Sequence, residues 1–363
     1  MNDMLMSITN TIKLGAIIDY VQPTKYIVES TKYIEDGKTP VLTAGKGLYL
    51  GYTNEENGIF KATKENPVII FDDFTTSFHW IDFSFKVKSS AMKILLPHDD
   101  SFNFRYIYYI MKTIKVNIES HTRQWISNYS NIEIPLPSIE IQNHIVKILD
   151  EYTFKKEELI INLKNEIKLL EEKLEYYHEK LLSGSDNLLK IKDLCTIISG
   201  GDIDKKLLSK NKTDEFPIAV VSNGIGSNSI YGYTNKAKIM EECVTVSARG
   251  TIGYAEYRNY PIYPIIRLLC LIPNQSIEAK YLMYVLSKIK YNIPKVGIPQ
   301  LTKPMISEIV INVPDINRQK DTVKILDSLY KYTNELIYSL NGNIELIEKQ
   351  YRYYMEKLLN FNN

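Results

Sequence analysis

The sequence predicts an α+β fold: two mixed, mainly β modules separated by two long antiparallel coiled-coil helices and related by a pseudo-twofold internal repeat. Three observations carry this. A segment near residues 134–182 aligns without a gap to one near residues 311–359 at a constant offset of 177, the separation of Pro137 and Pro314. Both copies hold the same long apolar rhythm. The segments between them are rich in short β-branched runs bounded by Gly, Pro and Asn. A period this long exceeds the roughly 20–50 residues of a solenoid unit, so it marks a duplicated module.

The match between copies is closest in the helices. Gln142 aligns with Gln319, Val146-Lys147-Ile148-Leu149-Asp150 with Val323-Lys324-Ile325-Leu326-Asp327, and Tyr176-Tyr177 with Tyr353-Tyr354. Apolar residues recur at Leu159, Leu163, Ile167, Leu170, Leu174, Tyr177 and Leu181, and again at Leu336, Leu340, Ile344, Ile347, Tyr351, Tyr354 and Leu358. These spacings of three and four form a heptad seam with charged residues between, so one narrow stripe is buried in each helix. Pro137-Ser138 opens the first helix near Ile139, and Ser183-Gly184 closes it. At 1.5 Å per residue it is roughly 65 Å long. Residues 134–187 and 311–363 are the helical segments; residues 1–133 and 188–310 are the modules.

The modules correspond more loosely. Gly51-Tyr52-Thr53-Asn54 recurs as Gly232-Tyr233-Thr234-Asn235, and Tyr106-Ile107-Tyr108-Tyr109 resembles Tyr281-Leu282-Met283-Tyr284. Strands are predicted at Pro67–Phe71, Cys243–Ser247 and Ile265–Leu271, in a partly closed sheet, with short helices near Tyr106–Lys112 and Ala279–Ile289. Turn residues cluster in Ser199-Gly200-Gly201-Asp202 and in Ser222–Asn228, places where loops on a rigid sheet can present recognition groups.

With 363 residues and 44% hydrophobic content, the chain is long enough for two ordinary cores. No apolar stretch approaches the roughly 20 residues of a membrane span, and Met1-Asn2-Asp3 lacks the basic start of a signal peptide. Cys195, Cys243 and Cys270 have no metal-ligand spacing, which points to buried thiols in a reducing cytoplasm. The net charge of +1 is unevenly divided, with an excess of +7 over residues 188–307 and near neutrality in the first module. Clustered positive charge is the footprint of phosphate binding.

Catalytic signatures are absent from the sequence. There is neither an Asn/Asp-Pro-Pro-aromatic tetrapeptide of amino-methyltransferases nor a Walker A lysine loop. Gly224-Ile225-Gly226-Ser227-Asn228-Ser229 lacks the final glycine of a dinucleotide fingerprint. Pro314-Asp315 sits where Asp caps a helix start. His79, His98, His121, His144 and His178 are scattered without metal-binding spacing.

The order of variable module, repeated helix, variable module, repeated helix resembles the specificity subunits of type I restriction-modification systems across nearly the whole chain. Its most specific pieces are the helix openings Ile134-Pro135-Leu136-Pro137 with Gln142 and Ile311-Asn312-Val313-Pro314 with Gln319. Val246-Ser247-Ala248-Arg249-Gly250-Thr251-Ile252-Gly253 and Gly297-Ile298-Pro299-Gln300-Leu301-Thr302 are also similar to that family's target-recognition domains. The first module departs from it, carrying Phe71-Asp72-Asp73-Phe74-Thr75-Thr76 where the Arg-Gly-Thr turn would lie.

The resemblance implies a non-catalytic reader of double-stranded DNA, each module recognising one half of a split site and the helix pair fixing the distance between halves. It implies two methyltransferase subunits held by the helices and two restriction-translocase subunits joining outside in systems that also cut. It implies no cofactor bound by this chain, with S-adenosylmethionine in the partner methyltransferase, and no membrane. Two other readings stay open: a coiled-coil scaffold whose modules bind proteins, and a subunit with its own methyl transfer.

Base and phosphate contacts are expected among polar and basic groups of the predicted loops. Arg249 matches the acceptor pair of guanine, and Asn223 or Asn228 the donor and acceptor of adenine. Thr251 shares the Arg249 turn. Lys205, Lys206, Lys236 and Lys295 are phosphate candidates, and Tyr231 and Tyr233 candidates for sugar or base packing. In the first module the analogous residues are Lys46, Tyr49, Asn54, Arg123 and Gln124.

Overall fold

A computed structural model describes residues 10–45, 47–116, 123–184, 187–293 and 298–360. The chain divides into unit 1, residues 1–162 with 342–363, and unit 2, residues 163–341.

Unit 1 opens with β1 (Asn10–Lys13), α1 (Leu14–Ile17), β2 (Ile18–Val21), β3 (Thr39–Leu42), β4 (Tyr49–Thr53) and β5 (Val68–Asp72). It continues with β6 (Phe78–Ile81), β7 (Lys86–Val87), β8 (Met92–Pro97), α2 (Phe104–Met111), α3 (Gln124–Ser127) and β9 (Glu133–Leu136). Helix α4 (Ile139–Leu182) follows and passes into unit 2.

Unit 2 repeats that order. Its elements are β10 (Leu188–Lys190), α5 (Ile191–Leu194), β11 (Cys195–Ser199), β12 (Ile218–Val221), β13 (Ile230–Thr234) and β14 (Cys243–Val246). Then come β15 (Ala255–Arg258), β16 (Ile262–Pro264), β17 (Leu269–Pro273), α6 (Ala279–Leu286), α7 (Lys303–Ser307), β18 (Val310–Asn312) and α8 (Ile316–Leu359). Helix α8 returns to unit 1 with its last turns.

The sheets repeat strand for strand. The orders β2-β8-β5-β6, β4-β3-β7 and β1-β9 in unit 1 are matched by β11-β17-β14-β15, β13-β12-β16 and β10-β18 in unit 2. In each unit the middle strand of the three-stranded sheet pairs one neighbour antiparallel and the other parallel. In place of the expected partly closed sheet, each unit therefore has three separate sheets, of four, three and two strands.

Strand β5 shows why the apolar runs do not alternate. Ile69 and Phe71 face a core shared with α2, α3 and the long helices, while Val68 and Ile70 face a second core shared with β3, β7 and β8. A strand covered on both faces has no polar side to show. In unit 2, Val244 and Val246 face the helical core and Cys243 the other. All three cysteines are buried and free, and burial pushes the Cys195 thiol up to about 12.

The long helices join each unit through equivalent clips. In unit 1, buried Gln142 accepts the Asn103 backbone N–H at 2.8 Å and donates to the Pro137 carbonyl at 2.8 Å. In unit 2, buried Gln319 accepts the Glu278 N–H at 2.8 Å and donates to the Pro314 carbonyl at 2.7 Å. Asp150 accepts from the Tyr109 hydroxyl and Arg105; Asp327 accepts from the Tyr284 hydroxyl and Lys280. The hydroxyls of Tyr106 and Tyr281 reach the carbonyls of Pro135 and Asn312.

Within unit 1, Tyr152 and Thr153 of α4 meet Tyr351 of α8, and Tyr152 also meets Tyr354. Within unit 2, His178 meets Tyr330, while Ser183 meets Arg318. As α4 advances, its partner residues on α8 fall in number, so the pairing is antiparallel.

Two expectations are corrected. The buried stripe of α4 runs through His178, with Tyr177 and Leu159 exposed; on α8 it runs through Met355, with Tyr354 and Leu336 exposed. The inward residue lies one position further along because the helix closes its turn at 3.6 residues, so adjacent candidates compete for one face. The predicted strand Ile265–Leu271 begins only at Leu269, because Ile266 and Arg267 take left-handed backbone angles (φ 52° and 59°) and turn the chain.

Candidate nucleic-acid interface

In unit 2, loops from five parts of the chain are hydrogen-bonded to one another at one end of the sheets. Asn223 is the hub. Its Oδ1 accepts the Ala248 N–H at 2.6 Å, its Nδ2 donates to the Ile266 carbonyl at 2.7 Å, and its own carbonyl accepts the Thr251 hydroxyl at 2.9 Å. The N–H groups of Ile266 and Arg267 donate to the carbonyls of Gly201 and Gly200, and Leu301 N–H donates to the Ala248 carbonyl. Glycine is needed at two of these crossings: a Cβ on Gly200 would lie 2.7 Å from the Ile265 carbonyl oxygen, and one on Gly224 2.1 Å from that of Asn228.

Two guanidinium groups close over this frame. Arg249 donates to Gln300 Oε1 from Nε at 3.2 Å and from Nη2 at 2.9 Å, and Arg267 donates to the same oxygen from Nη1 at 3.2 Å. Among the described residues neither meets a carboxylate in an ion pair, whereas buried Arg258 nearby is paired with Glu256 at 2.7 Å. A neutral amide oxygen does not cancel two positive charges, so both guanidinium groups keep their charge here. Lys238 brings a third cation to the same loops, reaching the Ser199 carbonyl at 3.5 Å.

Unit 1 builds the same frame with other groups. Gln124 N–H donates to the Asp73 carbonyl as Leu301 N–H does to that of Ala248, so Phe74 stands in the place of Arg249 and Arg123 in that of Gln300. The loop after β7 reads Lys88-Ser89-Ser90-Ala91, with no left-handed residue, where unit 2 has Ile265-Ile266-Arg267-Leu268. Asp73 accepts the Trp125 N–H at 3.0 Å and lies 3.6 Å from Lys93, both charged groups buried. Asp72 caps the turn by accepting from the N–H groups of Phe74 and Thr75.

Comparison with known proteins agrees with this duplicated frame. The family model for the type I restriction modification DNA specificity domain matches residues 7–169 and 187–346. The chain belongs to that family. It is 34% identical over 393 aligned residues to the specificity subunit of an Escherichia coli type I restriction enzyme, covering 96% of this chain and 94% of that protein. A putative type I specificity subunit of Mycoplasma pneumoniae is 32% identical over 249 residues, covering 63% of this chain and 73% of its own length.

The fold is shared with solved structures at lower identity. A chain from a structural study of assembly and conformational transition of the type I restriction-modification system superposes with a TM-score of 0.73 at 14% identity, covering 96% of this chain and 97% of that one. The HsdS subunit from Thermoanaerobacter tengcongensis gives 0.53 at 14% identity, with 96% of each chain covered. As a type I specificity subunit the chain is a DNA-recognition component and not a catalytic one. Among the described residues no cluster of His, Cys, Asp or Glu has metal-binding geometry, and no helix is long and apolar enough to cross a membrane.

The residues expected to touch DNA fall into three groups in this specificity subunit. Arg249, Thr251 and Asn223 are brought together, but Asn223 holds the loops by its amide and is not free to read adenine. Asn228 and Tyr231 are exposed; Lys205 and Lys206 are exposed on one turn and Lys236 beyond β13; Tyr233 packs against the core between the sheets of unit 2. In unit 1, Arg123 is exposed, and exposed Tyr49 stacks on Phe83 with ring centroids 6.1 Å apart.

Two more residues of unit 1 serve its own frame. The Asn54 side chain accepts the Lys38 N–H at 3.1 Å. Gln124 is corrected outright: it is 1% exposed, with its Oε1 taken by Asn128 at 2.6 Å, because it opens α3 facing the core. Lys46 and Lys295 lie outside the described residues. Sequence reasoning missed Arg267, Gln300 and Lys238. Arg267 is concealed inside an apolar run, while Gln300 lies in the Gly297–Thr302 segment, 177 residues beyond Arg123.

Proposed function

We propose that residues 1–133 and 188–310 are two target-recognition domains, each reading one half of a bipartite duplex site. Helices α4 and α8 would set the spacing between halves and carry two methyltransferase subunits, with S-adenosylmethionine bound in those subunits. Restriction-translocase subunits would join that core where the system cuts as well as methylates. The observation that carries the reading is the contrast inside the duplication. The clips made by Gln142 and Gln319, and by Asp150 and Asp327, are the same, whereas the loop ends differ at Phe74, Ser89-Ser90 and Arg123 against Arg249, Ile266-Arg267 and Gln300. A common frame with different tips is what two readers of different sequences require, because phosphate contacts position a protein and only base-edge contacts specify.

Adenine methylation mapped by single-molecule sequencing, in cells carrying this chain with and without a cognate methyltransferase subunit, tests the reading. The expected result is a split motif with two dissimilar halves, present only when both proteins are. Complex formation without any motif dependent on this chain would overturn it.

A further inference from the structure

We propose that Arg267, presented by the Ile266-Arg267 turn, is a specificity-determining residue of unit 2 and reads a guanine edge in the major groove, with Arg249 and Gln300 positioning it. This rests on the reader assignment above.

The division of labour between the two arginines follows from their donors. Arg249 closes Nε and Nη2 onto Gln300 Oε1, so one edge of its guanidinium is engaged within the protein, and it is half-buried. Arg267 gives that oxygen only Nη1 and is exposed. Among the described residues its Nε and Nη2 have no hydrogen-bond partner, which leaves donor capacity on the exposed side. Guanine offers two acceptors, O6 and N7, at the spacing of a guanidinium edge. Gln300 fixes the direction of that edge without neutralising it, as a carboxylate would.

The backbone beneath Arg267 points the same way. Two consecutive non-glycine residues are left-handed, and Ile266 is β-branched, a combination that local sterics oppose. It persists because it is over-determined: both N–H groups donate to the Gly200–Gly201 backbone, and the Ile266 carbonyl accepts from Asn223. A base edge is read only by a donor pair held at a fixed angle, and this backbone supplies that fixation. The turn also leaves the Ile266 side chain 45% exposed beside Arg267, an apolar group suited to a neighbouring base edge such as a thymine methyl. Unit 1 carries Ser89-Ser90-Ala91 in the corresponding loop, so this reader belongs to one half only.

The test compares the full chain with Arg267→Ala and Arg267→Lys, each co-expressed with the methyltransferase subunit, by methylation mapping of host DNA. Thermal unfolding of the purified complexes serves as the folding control. Both variants should unfold like wild type and relax one G·C position in one half-site, with cognate methylation slowed by about 10–100-fold. The other half-site should be unchanged. Lysine should fail like alanine, because it keeps the charge and loses the fork. An unaltered motif, with only a weaker salt dependence of binding in Arg267→Ala, would make Arg267 a phosphate contact and overturn the proposal. A wild-type complex that yields no bipartite motif would overturn the reader assignment, and this inference with it.

Discussion

His178 Nδ1 lies 2.6 Å from the Tyr330 hydroxyl, joining α4 to α8 inside unit 2, while Nε2 lies 3.1 Å from the Tyr284 carbonyl oxygen. At the offset of 177, the corresponding residue of unit 1 is Met355, also buried. One half of a duplicated structure thus holds a titratable group where the other holds an apolar one.

That difference gives unit 2 a pH dependence. Burial lowers the His178 pKa below the usual histidine value, and the nearby Lys288 ammonium lowers it further, against weaker opposing effects of the Tyr284 carbonyl and Glu175. A folded value below the unfolded one, near 6.5, means that the unfolded chain binds the extra proton first. The stabilisation is then complete above about pH 6.5 and falls away as pH drops through the folded value. Thermal midpoints at pH 7.5 and pH 5 should differ more for wild type than for His178→Met. An equal difference in both would remove the histidine as the cause.

The glutamine clips predict separable effects in the two units. Gln142→Ala or Gln319→Ala leaves a buried N–H and carbonyl unpaired, a loss of about 2–4 kcal/mol in either unit. Both tryptophans, Trp80 and Trp125, lie in unit 1, so fluorescence reports that unit directly. In urea, Gln142→Ala should lower the fluorescence midpoint. Gln319→Ala should register first in far-UV circular dichroism. Identical shifts on both probes would mean that the units unfold together.

Asp73 and Lys93 form a buried pair at 3.6 Å, and Lys93 Nζ has no hydrogen-bond partner among the described residues. Asp73→Asn keeps an acceptor for the Trp125 N–H but strands the ammonium, which costs about 3–5 kcal/mol. Adding Lys93→Met should recover most of that loss, as read by urea unfolding. If the double variant stays as unstable as the single one, the cost lies in the turn and not in the stranded charge.

Ile266→Gly separates stability from selectivity. Glycine takes φ of 52° without strain, so relief of about 1–3 kcal/mol should outweigh its entropic cost of about 0.5–1 kcal/mol. The thermal midpoint should rise while discrimination at the unit 2 half-site falls, because the turn no longer fixes Arg267. A drop in the midpoint would show that packing of the Ile266 side chain dominates.

The repeat was legible because it depends on covalent order alone. Gln142 with Gln319, Asp150 with Asp327 and Tyr176-Tyr177 with Tyr353-Tyr354 are visible as a constant offset, and the structure gives the glutamines a backbone N–H and a proline carbonyl, and the aspartates a tyrosine hydroxyl, in both units. Strands β5 and β14 were legible as apolar runs, since covering both faces of a strand leaves a mark in composition. The buried stripe of the long helices was misplaced by one residue at Tyr177 and Tyr354, because neighbouring apolar side chains compete for one face and only the opposing surface decides.

The site was legible in kind but not in detail. Residue type singles out Arg249 and Asn223, yet type alone does not show that one amide holds three loops together. Arg267 was hidden in Ile265–Leu271 because propensity favours a strand there, and long-range hydrogen bonds from Gly200, Gly201 and Asn223 override it. By itself the sequence determined the duplication, the helices and the absence of catalytic motifs, all of which rest on local spacing. Only the tertiary structure decided which polar groups turn inward and which face out, because a side chain's role depends on partners that lie far away in sequence.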